Sequence, residues 1–255
     1  MELAFILFAT LLAFLDSAHS TDYCKPDLCR KGKHTACNND GKFSEDCVNP
    51  REIQFTPVQK DALIQMHNEK RNTVAGGDTK LKPACRMATM DWDDELASLA
   101  MLHAKRCEID HDPCRNTDTF LHSGQNIAWM NFYGTPNITI MSKRSIDLWF
   151  NEIMDTEQAF VDKYPRGYNG PAIGHFTVMM ADRNIRLGCG AVIYKEQGDN
   201  FEGFLLICNY ATTNVIDFPI YKSCTEPATE CKSGKNPVFR NLCSTSETYD
   251  VNNFV

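Results

Sequence analysis

Twelve cysteines, the first at Cys24 and the last at Cys243, constrain this chain more than any other feature. An even count with no CxxC pair reads as six disulfides, because metal clusters use closely spaced thiols and a catalytic thiol leaves an odd number. The stretch before Cys24 points to the oxidising compartment such bonds need. Leu3 to Leu15 is apolar apart from Thr10, and Ala18-His19-Ser20 places small residues where a signal peptidase cuts. About thirteen apolar residues are too few to span a bilayer, which takes roughly twenty. The sequence therefore predicts a signal peptide over 1–20, a soluble secreted chain from near Thr21, and no transmembrane anchor.

The length of 255 residues permits one or two domains with a sizeable core, so the cross-links do not merely compensate for smallness. A formal charge of −7 argues against a general polyanion binder and against nucleic acid as a partner. Brief basic runs such as Arg30-Lys31-Gly32-Lys33 read as solvated surface.

Residues 21–54 hold four cysteines among Gly, Asn, Asp and Lys. With little apolar periodicity, this extension needs cross-links to hold it to the main body, residues 55–215. A first helix opens there. Thr56 is its N-cap, Pro57 its first residue and Gln59 the partner in a capping box; Leu63, Met66, Lys70 and Val74 share a face until Gly76-Gly77 stops it. A second helix is predicted from Trp92 to Cys107 behind Asp91, with Leu96, Leu99, Ala100, His103 and Cys107 as its buried stripe. A third runs from Ile138 to Met154, with Met141, Ser145, Leu148, Trp149, Glu152 and Ile153 toward one side.

Two strands follow, Gly188–Tyr194 and Gly203–Tyr210. With Gly198-Asp199 as a two-residue type II′ turn, Cys189 and Cys208 lie nine residues on either side and face each other. The register itself thus predicts a cross-strand disulfide. Residues 216–255 revert to polar, irregular sequence with three cysteines and read as a cross-linked tail. Helices followed by a short antiparallel sheet give an α+β class.

The motifs His111-Asp-Pro-Cys-Arg115, Gly124-Gln-Asn-Ile-Ala128, Gly174-His-Phe-Thr177, Gly188-Cys-Gly190 and Leu205-Leu-Ile-Cys-Asn-Tyr210 occur in that order. Their order and spacing resemble the CAP superfamily of cysteine-rich secretory, antigen-five and pathogenesis-related proteins, over about residues 55–215. The Tyr23-Cys-Lys, Cys29 and His34-Thr-Ala-Cys37 stretch is similar to the insect venom-allergen, antigen-five-like branch. The resemblance implies an α-β-α sandwich with a small, three-stranded antiparallel sheet between helical layers, and disulfide-stapled N- and C-terminal extensions. It also implies the pairs Cys24–Cys37, Cys29–Cys114 and Cys47–Cys107, together with Cys189–Cys208. Cys85, Cys224, Cys231 and Cys243 then allow three pairings; the short loop favours Cys231–Cys243, which leaves Cys85–Cys224.

The superfamily carries two histidines and two acids in a central cleft. By the resemblance, His111 and His175 correspond to the histidines and Glu152 to one acid, while Gln125 stands in place of the second. His122, three residues before Gln125, is the alternative first histidine. Two imidazoles and a carboxylate form a candidate zinc set, with one position left for water. An uncharged Gln125 is a poor ligand and no general base, so zinc would bind weakly and no cofactor is required. The sequence has no HExxH and no GxSxG. Val178 and Ala181 stand where relatives carry Gln and Trp, and Asn209-Tyr210-Ala-Thr-Thr-Asn214 lacks the usual Pro and Gly. His67 and His103 read as structural. Asn137-Ile-Thr139 is a glycosylation sequon.

Two functions follow as expectations. The first is a secreted, non-enzymatic protein binding a lipid or other small hydrophobic ligand, or an extracellular protein partner; the resemblance permits the lipid, since some relatives hold fatty acids, eicosanoids or sterols. The second is a weak metal-dependent hydrolase, which Gln125 disfavours. An ion-channel toxin would need a denser cysteine module than Cys224, Cys231 and Cys243 supply.

Overall fold

The computed structural model describes residues 21–254; the leader expected over residues 1–20 lies outside them. Its centre is the hairpin of β4 (Arg186–Lys195) and β5 (Glu202–Tyr210), in which Cys189 pairs with Cys208. The turn is wider than the type II′ turn read from Gly198-Asp199. Ladder pairing ends at Tyr194 and Gly203, the Asp199 N–H donates to the Glu196 carbonyl at 3.1 Å, and Gly198 has φ +93° at the third turn position. A positive φ there belongs to type II geometry.

The sheet exceeds the three strands that the resemblance implies. β3 (Gly124–Phe132) pairs with β5 along its whole length, and β1 (Val48–Ile53) adds to the outer edge of β4. The two-residue β2 (Asp91–Trp92) runs parallel to the start of β4, giving the order β1-β4-β5-β3 with β2 beside β4. β1 falls in the extension read as irregular. It contains Pro50 within a register shift between Val48 and Arg51, which an edge strand tolerates because one side makes no ladder.

Alternation along β4 and β5 divides the core in two. Leu187, Cys189, Ala191 and Ile193 face α1 (Pro57–Gly76), α3 (Ile138–Asn151) and α5 (Gly174–Met180). Val192, Tyr194, Leu205 and Ile207 face α2 (Asp94–Ala104). The α2 side depends on two glycines. A Cβ at Gly188 would lie 2.2 Å from the Ala97 nitrogen, and one at Gly190 would lie 2.4 Å from the Met101 nitrogen. Two residues of strand rise about 6.6 Å and the four helical residues from Ala97 to Met101 about 6 Å, so the two spacings match. Gly188-Cys-Gly190 is thus the strand half of a backbone-to-backbone contact.

Helix signals hold where they are local. α1 has the Thr56–Gln59 capping box and ends at Gly77 with φ +78°. Its buried face differs from the apolar one predicted: His67, Asn68 and Arg71 are all buried, while Met66 and Lys70 are half-covered. α2 starts later than expected, because Asp93 rather than Asp91 caps it and Trp92 belongs to β2. Cys107 lies beyond its end at φ +57°. α3 ends at Asn151, and Glu152–Met154 tighten into a 3₁₀ turn; Leu148, expected inward, is 56% exposed. The short α4 (Gln158–Asp162) completes the set.

The structure joins Cys24–Cys37, Cys29–Cys114, Cys47–Cys107, Cys189–Cys208, Cys85–Cys224 and Cys231–Cys243. The C-terminal stretch is integral to the core. Ile220, Tyr221 and Leu242 are buried in the main cluster, and its backbone bonds to Ala84, Met87 and Val161. Among the described residues no helix is long and apolar enough to cross a membrane. Cys29–Cys114 spans 85 positions, so its loss should remove about 3–5 kcal/mol by loop-closure entropy. The Cys29→Ser/Cys114→Ser variant should show that loss as a lower urea midpoint. Melting within a degree or two of wild type would mean that non-covalent contacts alone hold the extension.

Candidate functional site

Four elements meet at one end of the sheet. The loop after α2 carries His111, β3 begins with Gly124 and Gln125, the 3₁₀ turn after α3 carries Glu152, and α5 opens with Gly174 and His175. His111, Gln125, Asn126, Tyr164, His175 and Asn214 are among the residues lining a cleft of about 430 Å³ between them. Val178 also lines it, so one departure from the family pattern falls directly on the cleft wall.

The direction of the hydrogen bonds can be worked out from their fixed end. The Leu96 carbonyl can only accept, so the Asn209 amide donates to it, at 3.3 Å. The Asn209 oxygen then accepts from Gln125 Nε2 at 3.1 Å, and that nitrogen also donates to Asp112 Oδ2 at 3.3 Å. This orients Gln125 Oε1 toward His111, whose Nδ1–H donates to it at 2.9 Å. His175 is oriented in parallel fashion. Its Nδ1–H donates to Glu152 Oε1 at 2.6 Å, while Glu152 Oε2 accepts the Phe176 N–H at 3.0 Å. With a proton on Nδ1 alone, each imidazole keeps its free lone pair on Nε2.

The predicted set of His111, Glu152 and His175 therefore divides into different roles. Glu152 has both oxygens engaged and holds His175, instead of facing the cleft as a third ligand. Gln125 does the same for His111. Among the described residues, the only group bringing three potential ligand atoms within 4.8 Å of one another is Cys85, Cys224 and Glu230, whose two sulfurs form a disulfide. His122, the alternative histidine, lies in a different groove and packs on Phe254 at 5.2 Å. His111 is exposed as a residue, but its Nδ1 edge is covered. That lost hydration is the main influence lowering its pKa; the Gln125 bond opposes it, and nearby Arg115 and His175 add to it.

Sequence reasoning missed Asp112, Asn209 and Asn126. Asp112 is buried, paired with Arg115 at 2.6 Å, and it explains why an amide suits position 125: a carboxylate there would face Asp112 across 3.3 Å. Asn126 is fully buried; its nitrogen donates to the His175 carbonyl at 3.0 Å, and its oxygen has no partner. The signal for both was present in His111-Asp-Pro and Gly-Gln-Asn, but it rests on contacts between distant segments.

A disulfide-linked α-β-α domain with an antiparallel sheet between helical layers is the architecture the motifs predicted. The chain matches the model of the cysteine-rich secretory protein (CAP) family over residues 64–210, and it belongs to that family. It is 39% identical to venom allergen-1 of Aedes albopictus, over 94% of each chain. It is 38% identical to the antigen 5 like allergen Cul n 1 of Culicoides nubeculosus, over 71% of this chain and 87% of that one. A crystal structure of NaASP2 with Zn²⁺ is similar with a TM-score of 0.61 and 25% identity, covering 74% of this chain and 96% of the other.

The Asp112 contact makes a prediction about Gln125→Glu. The introduced carboxyl should hold its proton above the ordinary carboxylate range, since ionisation would set two buried negative charges together. A raised folded pKa gives stability that is present in acid and lost as pH rises through that pKa. Relative to wild type, the variant should be about 1–3 kcal/mol less stable at pH 8 and recover toward pH 5 in urea titrations. A penalty independent of pH would contradict this electrostatic account.

Proposed function

We propose that this chain is a secreted, non-enzymatic binding protein whose cleft holds a divalent ion such as zinc, weakly, through His111 and His175. The observation that carries the reading is the pair of hydrogen-bond relays that leaves both Nε2 atoms as acceptors on one cleft. A carboxylate or amide behind each ligating imidazole, fixing its tautomer, is the usual support for a metal-bound histidine. Imidazole nitrogen suits zinc, and two protein ligands leave the other positions to water, which accords with weak binding. The zinc in the NaASP2 structure adds to this reading. When bound, the ion would supply a Lewis-acidic centre.

Hydrolysis is the weaker reading. With both imidazoles holding the ion, a further base must be free to take a proton, whereas Glu152 is committed to His175 and Phe176, and Asp112 to Arg115. For a small hydrophobic ligand, the supporting feature is a separate groove of about 550 Å³, lined in part by Phe55, Trp92, Met101 and Leu102. Secretion is supported by six disulfides and by the venom-allergen relatives. Asn137 suits a glycan: it is exposed and caps α3 through its oxygen, which accepts the Ile140 N–H at 3.1 Å, so the amide nitrogen is left for the sugar.

Calorimetric zinc titration tests the reading. His111→Ala and His175→Ala should each weaken binding at least about tenfold, and Glu152→Gln by about 10–100-fold through lost orientation. Metal should leave as the imidazoles take up protons, below about pH 6. Equal affinity in wild type and all three variants would refute the site. Native mass spectrometry of protein from eukaryotic cells should show the glycan lost in Asn137→Gln.

A further inference from the structure

Thr21, the first residue described, is only 8% exposed. The ends of a domain fray unless something ties them down, and Thr21 is tied to α2. Its hydroxyl donates to Glu95 Oε1 at 2.6 Å and accepts the Asp118 N–H at 3.3 Å. The Tyr23 hydroxyl donates to the same Glu95 oxygen at 2.9 Å. Among the described residues Glu95 Oε2 meets no donor, and the half-buried Glu95 makes no ion pair.

Two hydroxyls and the favourable end of a helix would account for one acid in a first turn. The surrounding charge is larger than that. Burial, the Glu95 bond and the charges of Glu95, Asp118 and Asp93 all push the Tyr23 phenol pKa upward. Asp93 caps α2 through the Leu96 N–H, and Asp118 has the one paired cation, Lys25, on which Asp22 and Asp27 also act. His34, stacked on Tyr23 at 4.8 Å, adds no positive charge at neutral pH, because burial lowers its pKa. The spot lacks a cation.

The backbone nitrogen of Thr21 lies about 3–4 Å from its own Oγ1 in any rotamer, and hence within about 6 Å of Glu95. We propose that cutting the chain between Ser20 and Thr21 completes this site: the new α-ammonium pairs with Glu95 and locks the N-terminal extension onto the start of α2. The step is hydrolysis by a signal peptidase. One water is consumed; its oxygen ends in the Ser20 carboxylate and both its protons on the Thr21 nitrogen. The cut is made on the unfolded chain during export, before Thr21 is enclosed. An uncut chain has a neutral amide at this point, so the ion pair belongs to the processed protein alone. The inference rests on the secreted reading and needs neither metal nor the cleft.

Mass spectrometry of protein secreted from eukaryotic cells should give Thr21 as the first residue, and a different first residue would overturn the proposal. In that protein the α-amine, followed through the Thr21 ¹³Cα resonance, should titrate above the ~8 of an ordinary chain terminus. Glu95→Gln, which still accepts from Thr21 and Tyr23, should bring it back to that range. A raised folded pKa gives stability that is present below the unfolded value and lost as pH rises through the folded one. The urea midpoint of wild type should therefore fall further between pH 7 and pH 10 than that of Glu95→Gln. Glu226→Gln, at an exposed acid without an ion pair, should behave as wild type. One alanine inserted before Thr21 displaces the ammonium by about 3.8 Å and should reproduce Glu95→Gln, the two changes together costing no more than either alone. Equal α-amine titration in wild type and Glu95→Gln would overturn the ion pair, and so would an alanine-extended chain as stable as wild type at pH 7. A chain kept uncut inside the cell would overturn the secreted reading as well, whereas these last two results in a correctly cut protein would overturn this proposal alone.

Discussion

The fold depends on a helix that buries polar side chains. On α1, Arg71 is fully enclosed and meets carbonyls instead of a carboxylate: Ala88 twice, at 2.8 and 3.1 Å, Met179 at 2.6 Å and Ala181 at 2.9 Å. Burial lowers its pKa to about 10, which leaves it charged at neutral pH. Asn68 both donates to and accepts from the Met90 backbone at 2.9 Å. These segments, around residues 87–90 and 179–181, fall largely outside the sheet ladder. Unpaired buried carbonyls would cost about 1–3 kcal/mol each, so α1 satisfies what regular structure does not.

The same helix reaches the cleft. His67 Nδ1–H donates to the Leu63 carbonyl at 2.8 Å, so its Nε2 accepts from the Tyr210 hydroxyl at 2.9 Å. Tyr210 in turn accepts from Asn126 at 3.3 Å, and Asn126 donates to the His175 carbonyl. Burial lowers the His67 pKa to about 4, which keeps the ring neutral and fixes the direction of this relay. Glycines 188 and 190 seat α2 on the opposite face, where the Leu96 carbonyl starts the chain that orients His111. Each cleft histidine is thus positioned from one of the two helical layers.

What the sequence revealed follows from how local each signal is. The α1 cap and stop, the β4–β5 register and the pairing of Cys189 with Cys208 need only neighbouring residues and a symmetric hairpin. The buried stripe of α1 was misread because His67, Asn68 and Arg71 look like a solvent face until the carbonyls they meet are in place. β1 and the full length of β3 were missed for a related reason. Val48–Ile53 contains Asn and Pro, and its strand character comes from the open edge of β4. At the site the resemblance named His111, Gln125, Glu152 and His175, which the fold brings to one end of the sheet, but the hydrogen bonds that orient them run through Asp112, whose neighbour His111 gives no hint of its contact with Gln125, and through Asn209, far away in sequence.

Helix α1 positions the cleft through Tyr210. The most direct measurement is imidazole NMR on Tyr210→Phe, which keeps the ring and deletes only the hydroxyl. Stability should fall by about 1–3 kcal/mol, because buried His67 and Asn126 each lose a partner. The His175 ring resonances should shift with it, while those of His34, held by the Asn116 carbonyl and touching neither Tyr210 nor Asn126, stay in place. A variant whose His175 resonances and titration coincide with wild type would contradict the account, since the cleft would then be set independently of the helix behind it.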